Sequence, residues 1–389
     1  MKRIFLLLFI PMFSMAQPTG ITFVQSTLAV AKTEAKAKNK MLFVDAYADW
    51  CSPCKWMADN VFTDTTVAKF YNQNFLCIKL DAEKGEGIEF AKAFGIIGFP
   101  TFIFLNANGE LIHKTVGQAE VKDFLQYGKD AVSPTENLIA LQNRYKNGER
   151  NSDFLYTFSK ASLLAYDLKF IQYSNEYFKS LPADFLITEN TWNAVKLFMP
   201  DINSFMFNYV LKNKAKYAQF FGEQNISEYI DEAELQSLQQ AVHSKDSLML
   251  EKSKKLIIET GSFDAQKLMA MSELKYYRKN KNSTKFLNLA KVYAEKYFMT
   301  DALSLNEVTS DFYRLTDSKE NLALAEKWAK HCCDLEDDYY NNDLYANILS
   351  KEGKTEDAIK AAQKAIDIGI KNGDDTSSTD ALLKSLKGR

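Results

Sequence analysis

Apolar positions along the chain follow two rhythms. Up to about residue 130, short apolar runs are separated by polar, glycine-bearing stretches; from about residue 133 onward, apolar residues recur at helical spacing. Residues 41–46 form a short apolar run that predicts a strand buried on both faces, and residues 75–80 predict a second. Residues 96–105 lead into a third, although Pro100 at its head cannot donate to a ladder. A cis bond before Pro100 accounts for a proline there. Asn106-Ala107-Asn108-Gly109 supplies turn residues for a hairpin into an edge strand at 110–113. Helical spacing is read at 21–40, 56–62, 88–94 and 117–127, with Gly95 as a helix stop. Beyond residue 133, Leu138, Leu141 and Tyr145, then Phe154, Phe158, Leu163 and Tyr166, mark helices. Breaks at Asn147-Gly148, Leu181-Pro182 and Met199-Pro200 divide them, predicting an α-helical array.

Composition narrows the function classes. Lys and Arg (48) nearly balance Asp and Glu (50), so there is no basic excess of the kind nucleic-acid binding demands. The 28 Phe and 19 Tyr therefore read as core and helix-packing residues instead of a base-stacking platform. Lys2 and Arg3, the apolar residues 4–13 and Ser14-Met15-Ala16 have the layout of a secretory signal peptide over residues 1–16. About ten apolar residues are too few to span a bilayer, and no later stretch is long and apolar enough. The mature chain, beginning near Gln17, is expected to be exported, soluble and without a membrane span.

Two of the five cysteines stand in Asp49-Trp50-Cys51-Ser52-Pro53-Cys54-Lys55, at a predicted strand-to-helix junction. Such a dithiol can close into a small disulfide ring. The helix start brings unpaired N–H groups and the positive end of the macrodipole near the first sulfur. That favours the thiolate, the nucleophile in disulfide exchange, and points to Cys51 as the attacking thiol and Cys54 as the resolving one. Trp50 beside the pair is read as an apolar wall for substrates. Pro53 suits the first helical turn, where its missing N–H costs nothing. Zinc competes for a Cys-x-x-Cys, but a structural site needs four ligands, and His113, His243 and His331 are scattered; no metal is expected. Cys77 lies in an apolar run and reads as a buried, inert thiol. Cys332 and Cys333, beside His331, could be a metal or second redox pair, but read first as small helix-packing residues.

Together, Val44-Asp45-Ala46-Tyr47-Ala48-Asp49-Trp50-Cys51-Ser52-Pro53-Cys54-Lys55 and Gly98-Phe99-Pro100-Thr101 resemble the thioredoxin family. The Ala48-Asp49-Trp50-Cys51 wording is most similar to the C-terminal thioredoxin-like domain of the periplasmic reductase DsbD. The resemblance covers roughly residues 20–130. It implies a central mixed sheet flanked by helices and no cofactor beyond the redox-active Cys51–Cys54 disulfide. It places Asp45 beneath the resolving cysteine as a buried proton acceptor, and Pro100 as a cis-proline against the dithiol. Phe99, before it, offers backbone groups to an extended substrate, and the residues between the cysteines help set the potential. Lys55 matches the family pattern too, though a lysine there could equally be a solvated helix face.

Near the C-terminus, residues 345–366 resemble a tetratricopeptide repeat, with Gly353 at an interhelix turn and Ala358 and Ala365 where paired helices approach closely. Leu322, Ala325 and Ala329 occupy comparable places 36 residues earlier. The motif's tryptophan and prolines are missing. The expected organisation is a signal peptide at 1–16, a thioredoxin-like α/β domain at 17–132, an α-helical domain at 133–300 and TPR-like helical repeats, hence all-α, at 301–389. The expected function is an exported, periplasmic thiol–disulfide oxidoreductase that reduces protein disulfides. A membrane electron donor of the DsbD type and a protein partner on the repeats are implied. The competing reading is a helical-repeat, protein-binding scaffold whose thioredoxin-like domain is a redox sensor or isomerase.

Overall fold

The computed structural model describes residues 20–199 and 201–388, so the signal peptide read at 1–16 lies outside the described residues. Four strands form one sheet in the order β2-β1-β3-β4, with β1 (Met41–Tyr47), β2 (Phe75–Asp81), β3 (Thr101–Leu105) and β4 (Leu111–Val116). β1 pairs parallel with β2 and antiparallel with β3, and β3 pairs antiparallel with β4, giving the mixed sheet expected. Side chains alternate between its faces. Phe43, Phe75, Cys77, Phe102 and Phe104 point into one apolar core, and Leu42, Val44, Ile78, Ile103 and Leu105 into the other. In the first core, Tyr71 stacks on Phe124 with centroids 4.6 Å apart and donates its hydroxyl hydrogen to the Phe124 carbonyl at 2.8 Å.

Helices α1 (Leu28–Ala37), α2 (Ser52–Asn60), α3 (Thr65–Asn74), α4 (Glu86–Ala93) and α5 (Val121–Val132) complete this part. The helix read at 21–40 is shorter than expected. The Thr27 side chain caps α1 by accepting from the Val30 N–H, and residues before it run alongside β2, where Phe23 pairs with Cys77. α2 starts earlier than expected because Cys51 itself is its N-cap. α3 was not anticipated; Asp64 caps it through the N–H groups of Thr66 and Val67. At the start of α4 the chain passes so close to β2 that a Cβ on Gly87 would lie 1.8 Å from the Asp81 carbonyl oxygen.

The described residues divide into two compact units on either side of residue 200. The first also contains α6 (Leu138–Lys146), α7 (Ser152–Leu164), α8 (Phe170–Ser180) and α9 (Glu189–Phe198). α6 and α7 pack against β4, so the strand read as an edge is covered. His113 on β4 is buried and its Nδ1 accepts from the Leu138 N–H at 3.1 Å, tying the sheet to the first turn of α6. Burial holds the imidazole down at about 4, neutral at physiological pH.

In the second unit, eleven α-helices run from Phe205 to Lys387 among the described residues. Trp328 anchors its core, with Phe312 edge-on at 5.0 Å. Gly353, left-handed at φ 80°, turns Tyr339–Glu352 into Thr355–Asn372, and Ala346, Ala358, Ala362 and Ala365 are fully buried where these helices meet. Cys332 is buried in Lys319–Leu335, and burial pushes its thiol up to about 12 and that of Cys333 to about 11. Neither is an activated thiol.

Candidate active site

The end of β1 delivers the chain to the start of α2, and the cysteine pair sits at that junction. Cys51 and Cys54 form a disulfide with Cα atoms 5.3 Å apart. The Cys51 sulfur accepts the Cys54 backbone N–H at 3.1 Å. It thus occupies the N-terminal anion position of α2, where charge on that sulfur is favoured. Both cysteines are buried, with Tyr47 and Phe99 packed against them. Pro53 stands exposed in the first turn of α2, as its missing N–H allows.

Asp45, on β1 six residues before Cys51, is buried. Burial raises its carboxyl to about 6, opposed by the Lys79 ammonium 3.7 Å away, a distance of ion pairing without a hydrogen bond. Oδ1 of Asp45 has no hydrogen-bond partner among the described residues. A cavity of about 140 Å³ is lined by Asp45, Cys54, Lys55 and Lys79, among others. It brings the carboxyl, the second cysteine and two ammonium-bearing side chains to one small space.

Lys79 went unremarked in the sequence. Its signal was there: it is the one charged residue in Phe75-Leu76-Cys77-Ile78-Lys79-Leu80, and the parallel register sets it directly beside Asp45. Its ammonium also lies over the Phe23 and Phe62 rings, 4.9 and 5.1 Å from their centroids.

Across the dithiol, the Phe99–Pro100 peptide bond is cis, as expected, and Pro100 is buried at the entry to β3. The Thr101 hydroxyl donates to the Gly98 carbonyl at 2.7 Å, closing this loop on itself. Trp50 is 68% exposed, meets the Phe99 ring edge-on at 5.8 Å and donates its indole N–H to Glu83 at 2.9 Å. Lys84 bonds the Asp49 and Asp81 carboxylates beside it. Seven sequence-selected residues thus gather at one end of the sheet: Asp45, Trp50, Cys51, Pro53, Cys54, Phe99 and Pro100. Among the described residues no cluster of His, Cys, Asp or Glu is arranged to hold a metal ion.

Comparison with known proteins falls on the same segment. A thioredoxin-like domain family matches residues 28–131. Thioredoxin H4 of Arabidopsis thaliana is 37% identical over 84 residues, 22% of this chain and 66% of that protein. The thiol:disulfide interchange protein DsbD of Vibrio cholerae is 38% identical over 87 residues, 22% of this chain and 14% of its own length. A solution structure from Bacteroides thetaiotaomicron, provisionally described as a disulphide-isomerase, is 38% identical, with 30% of this chain and 98% of that one covered and a TM-score of 0.29. The chain therefore spans just under two thirds of the plant thioredoxin and a small part of DsbD. Within this chain, residues 28–131 are a thioredoxin-like domain similar to that of DsbD, an oxidoreductase fold whose cysteine pair is in place.

Proposed function

We propose that the chain is an exported thiol–disulfide oxidoreductase that reduces disulfides in protein clients. The observation that carries this reading is the shared cavity. Cys54 and the buried Asp45, its carboxyl raised to about 6, line one small space, while the Cys51 sulfur sits at the helix start. In the dithiol form, the Cys51 thiolate attacks one sulfur of a client disulfide. A bond forms from Cys51 to that sulfur, the client S–S bond breaks, and the other client sulfur leaves as a thiolate that takes up a proton. Asp45 then accepts the Cys54 proton, and the Cys54 thiolate attacks the Cys51 sulfur. The client's remaining sulfur leaves, and Cys51–Cys54 closes. Two electrons pass from the dithiol to the client, so each turnover requires a dithiol donor to reopen the ring. Trp50, Phe99 and Pro100 hold the client's extended segment, with Pro53 on the outer turn of α2.

Compartment and partners belong to the same proposal. The leader-like residues 1–16 and the similarity to DsbD support a periplasmic location and a membrane electron donor of the DsbD type. The paired helices around Gly353 support a tetratricopeptide-like surface for a protein partner. Among the described residues no helix is long and apolar enough to cross a membrane.

Equilibrating the chain with glutathione buffers and reading the Cys51–Cys54 redox state tests this. A reduction potential near about −270 mV is the expected result for a reductant fed by a dithiol donor. A value near about −120 to −180 mV would make the chain an oxidant or isomerase. Failure to exchange with glutathione at all would leave the scaffold reading.

A further inference from the structure

The turn between α7 and α8, well beyond the matched residues 28–131, comes back to the active-site loop. A Cβ placed on Gly98 would lie 3.6 Å from Cε2 of Tyr166, so the tyrosine ring rests against the residue that precedes Phe99. Tyr166 is held at φ +56°, a conformation a bulky residue rarely adopts, yet 53% of it is exposed. The turn is fastened on both sides: the Tyr166 N–H donates to the Leu163 carbonyl at 3.0 Å, the Asp167 N–H to Ser162 at 2.9 Å and the Phe170 N–H to Asp167 at 2.9 Å. Two residues on, Leu168 is 77% exposed, and beside Gly98 on the other side Ile97 is 81% exposed. Phe99 packs on the dithiol and meets Trp50, so apolar side chains lead from the dithiol through the Ile97-Gly98-Phe99 loop to the Tyr166 ring, with Leu168 exposed on the same turn as Tyr166.

We infer that Tyr166 and Leu168 are specificity-determining residues, which select clients carrying apolar residues next to the reacting cysteine. This rests on the oxidoreductase reading above, because that reaction says what covers these side chains. A mixed disulfide on Cys51 brings a client cysteine to the edge of Phe99, and an extended chain advances roughly 3.3 Å per residue. Its flanking side chains therefore reach Gly98 and the Tyr166 ring within a few residues. A left-handed, well-fastened tyrosine presents a fixed apolar surface there at little further ordering cost. Polar flanks would cover Ile97 and Leu168 without gaining from it.

The test uses the full chain, recycled by dithiothreitol, and two octapeptides each held as a mixed disulfide with glutathione. They are identical except that the residues flanking the cysteine are leucine and valine in one and serine in the other. The wild-type chain is expected to prefer the apolar peptide. Tyr166→Asn, which keeps a residue tolerant of positive φ, and Leu168→Ser are each expected to lower kcat/KM for the apolar peptide by about tenfold, through KM. The serine peptide and hydroxyethyl disulfide should be reduced at unchanged rates. Equal kcat/KM for both peptides in the wild type, or unchanged selectivity in both variants, overturns the inference while leaving the oxidoreductase reading standing. Equal losses on all three substrates also overturn it, since the turn would then act on the dithiol itself. A wild-type chain that reduces none of them fails the underlying reading, and the inference with it.

Discussion

Asp45 and His113 are two buried ionisable residues in the same unit whose titrations pull in opposite directions. Asp45 stands at about 6 in the fold against an ordinary 3.8, so between these values the folded chain holds a proton that the unfolded chain has lost. Its contribution to stability therefore grows as pH falls through that window and is absent above it. His113 stands at about 4 against an ordinary 6.5, so over nearly the same range the unfolded chain takes up a proton the fold refuses. Its contribution falls as pH falls. Each shift corresponds to about 3 kcal/mol, and in the wild-type chain the two should largely cancel. Asp45→Asn should unmask the histidine, losing about 3 kcal/mol of stability between pH 6.5 and 4 relative to wild type. His113→Gln should show a gain over the same range. Urea unfolding at both pH values, followed on the first unit, checks this, and parallel pH profiles for all three chains would refute it. Asp45 and the cysteines were legible in the sequence because their spacing is fixed by a local motif. Lys79 stood out only as the one charge in its strand; its pairing with Asp45 and the burial of His113 were not legible, since each depends on which strand or helix lies alongside.

At the scale of elements, the strands were read well because a short apolar run bounded by turn residues carries its own evidence. Helix ends were read less well, since they depend on single capping side chains: Thr27 for α1, Cys51 for α2 and Asp64 for α3. Tertiary closeness was invisible. Gly87 reads in the sequence as a loop glycine ahead of the helix at 88–94, but the fold puts its α-carbon against the Asp81 carbonyl, where any side chain collides with backbone. Gly87→Ala should therefore cost at least about 2–3 kcal/mol, seen as a lower urea midpoint with an unchanged slope. An unaltered midpoint would mean that α4 shifts freely away from β2. Gly98, whose nearest neighbours to an added Cβ stand 3.6 and 3.7 Å off, has room for alanine.

For the whole molecule, the change of rhythm at residue 133 marks where strand patterning ends, but packing follows a different logic. α6 and α7 pack on β4, and the Leu138 N–H is spent on His113. A chain ending after residue 199 should fold and exchange disulfides with glutathione. One ending after residue 132 would bare His113 and the apolar residues around it, and should melt at lower temperature. Equal melting temperatures for the two would show that these helices do not support the sheet. The segment before α1 works on the opposite side of the sheet, where the Val24 N–H donates to the Cys77 carbonyl at 2.9 Å and Phe23 pairs with the outermost strand. An extended client segment of the kind the proposed function calls for is also the material that adds to open sheet edges. With β2 already paired at Cys77 and β4 packed beneath helices, the sheet offers little open edge for the client of the proposed reaction to join as a further strand, and the cis-proline loop is left as its route to the dithiol.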